Sequence, residues 1–159
     1  MGKLRTGDPA PAFAAQTSEG GTLSLRDMKG KPFVLYFYPK DDTPGCTKEA
    51  CSFQDHLALF RKLGAAVVGV SPDGSASHRA FAARYGLRFT LLGDEDHTLA
   101  SAFGVWKRRT MYGRSFMGVE RTTFVIDGKG IVRAVFPKVK VEGHAALVAE
   151  TVRSLGREV

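Results

Sequence analysis

The 159-residue chain contains two cysteines, Cys46 and Cys51, with four residues between them. They lie in the segment Tyr38-Pro39-Lys40-Asp41-Asp42-Thr43-Pro44-Gly45-Cys46-Thr47-Lys48-Glu49-Ala50-Cys51. In a reducing compartment so close a pair is more often catalytic or metal-binding than structural. A zinc site needs four ligands, and C-x4-C without a second Cys/His pair falls short of them. The remaining sharp reading is nucleophilic chemistry by a thiolate. A free thiol has a pKa of about 8.5, lowered to roughly 3.5–7.5 by a helix N-terminus or a neighbouring guanidinium. Asp41 and Asp42 oppose an anion at Cys46, so a cation must come from elsewhere in the chain. On spacing alone, two inert buried thiols account for the pair equally well.

The elements around the cysteines favour the reactive reading. Phe33-Val34-Leu35-Tyr36-Phe37-Tyr38 is short, apolar and aromatic, as expected of a central strand covered on both faces, and Pro39 stops it. From Cys46 to Leu63 the pattern is helical, with Ala50, Phe53, Leu57 and Phe60 at spacings of three and four. Thr43 is placed to cap that helix and Pro44 to occupy its first position. Cys46 then falls in the first turn, where unpaired N–H groups and the helix dipole favour an anion. Sites in open α/β sheets lie at such strand-to-helix edges.

Further along, Ala65–Val70 reads as a strand, Ser75–Tyr85 as a helix, Phe89–Leu92 as a strand and His97–Phe103 as a short helix. Pro11–Gln16 and Thr22–Leu25 read as extended segments around a Gly20-Gly21 turn. Thr122–Ile126 and Ile131–Phe136 flank Asp127-Gly128-Lys129-Gly130, a strong hairpin signal. A helix from about Gly143 to Leu155 closes the chain. This order predicts one α/β domain over residues 1–159, a mixed central sheet with helices on both faces in the order of a thioredoxin-like fold.

Composition is ordinary for a globular domain, with 43% hydrophobic and 25% charged residues. The start lacks the apolar core of a signal peptide, and no apolar run approaches the roughly 20 residues of a membrane span. The expectation is therefore a cytoplasmic protein without a membrane partner. Net charge is +7, and the stretch from Val105 to Arg121 supplies over half of it: Lys107, Arg108, Arg109, Arg114 and Arg121 against Glu120. The Lys107-Arg108-Arg109 run is expected to be a solvated loop, with docking of an acidic partner or of nucleic acid phosphate as its sharper alternatives. His56, His78, His97 and His144 are expected to be solvated or lightly capped, and Trp106 and Met111 to pack.

Pro39-x-x-x-Thr43-x-x-Cys46 resembles the active-site signature of the peroxiredoxins. Thr43-Pro44-Gly45-Cys46-Thr47-x-Glu49-Ala50-Cys51 is similar to the bacterioferritin-comigratory, or peroxiredoxin Q, branch. So is a second block running from Tyr112 to Asp127, Tyr-Gly-Arg-Ser-Phe-Met-Gly-Val-Glu-Arg-Thr-Thr-Phe-Val-Ile-Asp. The resemblance spans Gly7 to the terminal helix. It implies a thiol-dependent peroxidase acting on hydrogen peroxide and organic hydroperoxides, with thioredoxin or a similar dithiol protein as reductant. No metal or organic cofactor is implied.

By that resemblance Cys46 is the peroxidatic cysteine, and Arg121 stabilises its thiolate and the leaving oxygen. Thr43 hydrogen-bonds the peroxide or the thiolate, Pro39 shields the sulfur from bulk water, and Glu49 holds the arginine. Cys51 matches the resolving cysteine, which condenses with the Cys46 sulfenic acid. On an intact helix, residues five apart have Cα atoms roughly 8–9 Å apart and point about 140° away from each other. A disulfide needs Cα atoms within about 7 Å, so the first turns must unwind before the two join. A resolving cysteine in the same chain makes a monomer the expected state.

Two other functions stay open on the sequence. One is thiol–disulfide exchange with protein thiols, which the missing C-x-x-C argues against. The other is a basic binding module with inert cysteines, marked by salt-sensitive retention on DNA; a nucleic acid partner is not expected.

Overall fold

The computed structural model describes residues 4–156. In chain order the elements are β1 (Ala14–Thr17), β2 (Thr22–Ser24), a 3₁₀ turn (Leu25–Met28), β3 (Phe33–Phe37), α1 (Pro44–Asp55), α2 (Leu57–Lys62) and β4 (Ala66–Ser71). They continue with α3 (Ser75–Tyr85), β5 (Thr90–Gly93), α4 (Thr98–Ala102), β6 (Trp106–Met111), β7 (Arg114–Val119), β8 (Thr122–Ile126), β9 (Val132–Phe136) and α5 (His144–Gly156).

Seven strands form one sheet in the order β2-β1-β5-β4-β3-β8-β9. Next to the middle strand β4 lies β3, parallel to β4 and antiparallel to β8, with every residue buried. Side chains alternate faces along a strand, and the core divides accordingly. Val34, Tyr36 and Tyr38 meet Phe53, Phe60, Phe81 and Val148 of the helices α1, α2, α3 and α5. Phe33, Leu35 and Phe37 meet Leu99 of α4, Phe103 just beyond it, and Met28 of the 3₁₀ turn. The expected mixed sheet with helices on both faces is the architecture found. Among the described residues no helix is long and apolar enough to cross a membrane.

Two expectations are corrected. The helix expected from Cys46 to Leu63 is broken at His56, whose backbone (φ −99°, ψ 2°) leaves the helical region. There the His56 backbone N–H is shared between the Ser52 and Phe53 carbonyls, and its Nδ1 lies 2.8 Å from the Ser52 carbonyl oxygen. The Lys107-Arg108-Arg109 run is a strand rather than a loop. β6 and β7 pair as a separate two-stranded hairpin, register Trp106↔Val119 to Met111↔Arg114. Its turn is Tyr112-Gly113, both at positive φ (53° and 76°), as a two-residue hairpin turn twisted with its strands requires.

Candidate active site

The chain leaves the buried β3 at Phe37, passes Tyr38 to Thr43, and enters α1 at Pro44. Proline suits this first helical position because its missing N–H would have no helical partner there. Cys46 therefore sits in the first turn, 2% exposed, and Cys51 lies farther along the same helix, half-buried; both thiols are free. Thr43 is the residue before the helix, but it makes no side-chain cap. Its hydroxyl instead donates to the Lys40 carbonyl at 2.9 Å and folds the loop back on itself. The lone pairs of Oγ1 remain able to accept a hydrogen bond.

The cation that the cysteine segment lacked arrives from across the sheet. Arg121, on the turn between β7 and β8, places Nη2 3.3 Å from Cys46 Sγ and Nη1 2.6 Å from Glu49 Oε1. A guanidinium at hydrogen-bond distance favours the charged form of a sulfur. Gly45 makes room for it, since a Cβ there would stand 3.3 Å from Arg121 Nη2. Glu49 is 1% exposed, and its second oxygen has no partner. Burial pushes its carboxyl up to about 7, although Arg121 pulls the other way. Burial opposes the Arg121 charge too, but Glu49 and Cys46 outweigh it and hold the guanidinium pKa above its ordinary value. Cys51 is pushed up by burial and then by Asp55.

The two aspartates expected to oppose an anion are neutralised. Asp42 pairs with Arg84 at 2.8 Å and accepts from the Tyr85 hydroxyl. Asp41 lies 2.6 Å from His78 Nδ1 and accepts from Tyr38 and Ser77. His78 is fully buried, which corrects the expectation of a solvated side chain. Its Nε2 faces the Leu92 carbonyl at 2.9 Å, and a carbonyl can only accept, so Nε2 carries a proton. Burial pushes His78 down, but the Asp41 hydrogen bond and charge win and raise its pKa. Burial raises Asp41, and the His78 hydrogen bond reverses this and lowers it. The Asp41 backbone N–H donates to Asp73, so the loop before Cys46 is anchored to α3 and to the end of β4.

Asp41, Asp73 and His78 are also metal-ligand types close enough to share an ion. Asp41 and His78 bond one another, and Asp73 takes the Asp41 N–H and the Ser71 hydroxyl, so hydrogen bonds account for the cluster.

His144 is the second buried histidine, against the expectation of a solvated or lightly capped side chain. Its Nε2 is 2.8 Å from Thr123 Oγ1, and Phe53 and Phe136 meet its ring edge-on. Burial, then the Arg121 charge, lowers its pKa to about 4, so it is neutral. His97 stacks on Trp106 at 3.7 Å. The signal for His78 and His144 was weak: each stands at the start of a helix, and what each bonds lies far off in sequence.

Pro39 and Arg121 line a cleft of about 530 Å³ together with Arg109, Met111, Phe116 and Gly118 of the β6–β7 hairpin. The structure thus brings Cys46, Glu49 and Arg121 into contact, with Pro39 lining the cleft beside Arg121 and Thr43 immediately before α1. Cys51 lies farther along α1 and is unbonded to Cys46.

Residues 6–135 match the AhpC/TSA family. The chain is 50% identical over 145 residues to a putative peroxiredoxin bcp of Coxiella burnetii, covering 91% of this chain and 96% of that one. It is 44% identical over 155 residues to the peroxiredoxin Bcp of Bacillus subtilis, covering 98% and 99%. A solved structure of the Xanthomonas campestris bacterioferritin comigratory protein, presented for its alkyl peroxide reduction activity, superposes with a TM-score of 0.86 at 41% identity over 90% of this chain and 91% of that one. With a thioredoxin-like fold and a match over most of its length, the chain belongs to the AhpC/TSA family and, within it, to the Bcp/PrxQ peroxiredoxins, which are thiol-dependent peroxidases.

Proposed function

We propose that Cys46 is the peroxidatic nucleophile of this peroxidase and Cys51 its intramolecular resolving thiol. The observation that carries the reading is the guanidinium of Arg121, 3.3 Å from Cys46 Sγ and fixed from behind by Glu49. The Cys46 thiolate attacks the terminal oxygen of hydrogen peroxide or an organic hydroperoxide, the O–O bond breaks, and sulfur becomes a sulfenic acid. The leaving oxygen departs with the bonding pair and takes up one proton, giving water or an alcohol. Arg121 stabilises both the thiolate and that departing charge. Thr43 Oγ1 accepts the peroxide O–H and aligns it, and Pro39 limits water at the sulfur.

The Cys51 thiol then displaces water from the sulfenic acid to form the disulfide. Both cysteines lie on α1, so its early turns must open first. Opening also removes the burial and the Asp55 charge that raise the Cys51 pKa in the closed helix. Thioredoxin or a similar dithiol protein of the cytoplasm returns two electrons and two protons. A resolving thiol within the chain lets a monomer complete the cycle.

The test is hydrogen peroxide consumption by the reduced protein, compared with Cys46→Ser and Cys51→Ser. Wild type reacting orders of magnitude faster than free cysteine, Cys46→Ser inert and Cys51→Ser keeping its first turnover supports the reading. Rates equal to free cysteine in all three sink it.

A further inference from the structure

The β6–β7 hairpin pairs with no strand of the main sheet, and its register sets what each of its faces carries. Opposite residues share a face, so Arg109, Met111, Arg114 and Phe116 lie on one and Arg108 and Met117 on the other. Five large apolar side chains are exposed among the described residues, and four of them stand here: Met111, Tyr112, Phe116 and Met117. Met111, expected to pack, is 55% exposed, and Tyr112 at the turn is 97% exposed. From Lys107 to Val119 the sequence has no acidic residue. Glu120, the next one, is taken by Lys107 at 2.8 Å. Among the described residues no carboxylate pairs with Arg108, Arg109 or Arg114.

We propose that this hairpin docks the protein on an anionic phospholipid surface, with Tyr112 settling among the headgroups and Arg108, Arg109 and Arg114 meeting lipid phosphates. Two features select a bilayer over a protein. Apolar side chains stand on both faces and at the turn; a protein partner covers one face of a ribbon, whereas a bilayer receives a tip from every side. Each face also sets an arginine opposite an apolar side chain, Arg109 opposite Phe116 and Arg108 opposite Met117. An arginine lays its stem along apolar surface and keeps its charge in the polar layer, and a tyrosine ring suits the same boundary. Arg109 is held in place, since Nη1 donates to the Val119 carbonyl at 2.7 Å and leaves its other donors for a ligand. All three arginines lie within four residues of the turn, about 13 Å at roughly 3.3 Å per residue, so tip and cations reach one surface together. Nucleic acid phosphate would answer the cations and leave the methionines in water. The expectation of no membrane partner rested on the lack of a spanning segment, which a tip resting on a surface does not need.

The experiment measures cosedimentation of the reduced full chain with vesicles of phosphatidylcholine alone and of phosphatidylcholine with about one-third phosphatidylglycerol. Binding is expected to the anionic vesicles and not to the neutral ones. It should be lost in high salt, where the Debye length is about 3 Å at 1 M. Arg108→Gln/Arg114→Gln should lower the partition coefficient about 25-fold, the scale of two basic side chains at an anionic surface. Arg108→Lys/Arg114→Lys should keep most of it. Tyr112→Ser/Met117→Ser should lower it about tenfold through lost apolar burial. None of these four residues lines the cleft beside Arg121, so hydrogen peroxide consumption without vesicles should stay at the wild-type rate and reports that each variant is folded. No binding of wild type to anionic vesicles overturns the inference. So does binding that survives both double substitutions, which places it elsewhere on a chain of net charge +7. Binding that needs the arginines and ignores Tyr112 and Met117 is adsorption by charge alone and overturns it as well. If the substitutions spare vesicle binding and slow only reduction by the dithiol protein, the hairpin serves reductant docking instead and the inference fails.

Discussion

Replacing Arg121 with Met should cost rate and stability for separable reasons, and a second substitution should return only one of them. Arg121 contacts the Cys46 sulfur at 3.3 Å and Glu49 Oε1 at 2.6 Å. A hydrogen bond to a charged group contributes about 1.5–3 kcal/mol, so losing the one to the reacting sulfur slows peroxide attack about 10- to 150-fold. Breaking a buried ion pair by removing one partner costs roughly 3–5 kcal/mol. The Arg121 side chain is 19% exposed and that of Glu49 1%, which sets the loss near the lower end, about 3 kcal/mol. With a urea slope of about 2 kcal/mol/M, the unfolding midpoint should fall by about 1.5 M.

The stability deficit has a pH signature. Glu49 is already pushed up to about 7 with its cation present, against an ordinary value of 4.5, and without Arg121 it must rise further. Between those values the folded chain keeps a proton that the unfolded chain releases. Up to about 7 folded wild type and folded variant both keep that proton, so the deficit is small there; it grows above 7, where only wild type ionises Glu49. Adding Glu49→Gln removes the stranded charge, so the double variant should recover most of the stability and none of the rate. Stopped-flow oxidation and urea unfolding at pH 5, 6.5 and 8 measure both. The reasoning fails if Arg121→Met reacts within threefold of wild type, if the double variant regains the rate, or if the deficit does not change with pH.

Other outcomes are expected. Amide exchange should show Thr47–Phe53 protected in the reduced protein and open in the disulfide form; equal protection in both would refute the unwinding. His78→Ala should cost about 3 kcal/mol or more by stranding the buried Asp41 carboxylate, and should slow peroxide attack by loosening the loop before Cys46. Because His78 is raised and Asp41 lowered, the stability from this pair should be lost as pH rises through the folded His78 value and as it falls through that of Asp41. Unfolding midpoints across pH 3–9, wild type against His78→Ala, test this. His144, held to about 4, takes up its proton first in the unfolded chain, so stability should fall by at most about 3 kcal/mol as pH drops from 6.5 to 4. His144→Gln should flatten that slope in urea titrations.

Much of the framework was legible because it depends on local pattern. The unbroken apolar run of β3 requires cover on both faces, and Pro39 and Pro44 mark where strand and helix must stop and start. The β8–β9 hairpin follows from turn residues between two apolar runs. The β6–β7 hairpin escaped because Trp106–Met111 lacks an apolar alternation and carries three consecutive cations. Its one local signal was Tyr112-Gly113, an X-Gly pair between two runs of equal length. The break at His56 was invisible for a similar reason: the apolar spacing continues across it.

The thiol, threonine and prolines of the candidate site, and their placement on one strand-to-helix edge, were decided by the sequence itself: a thiol in the first turn of a helix is set by where Pro44 lets that helix begin. The tertiary structure alone decided the charges around it. Arg121 lies 75 residues from Cys46 and reaches it because β8 pairs with β3. Likewise Asp41 and Asp42, which read as opponents of a thiolate, are neutralised by His78 and Arg84 from α3. Spacing along a helix or strand follows from local geometry, whereas an electrostatic environment is a sum over neighbours in space, and those neighbours exist only once the sheet has closed.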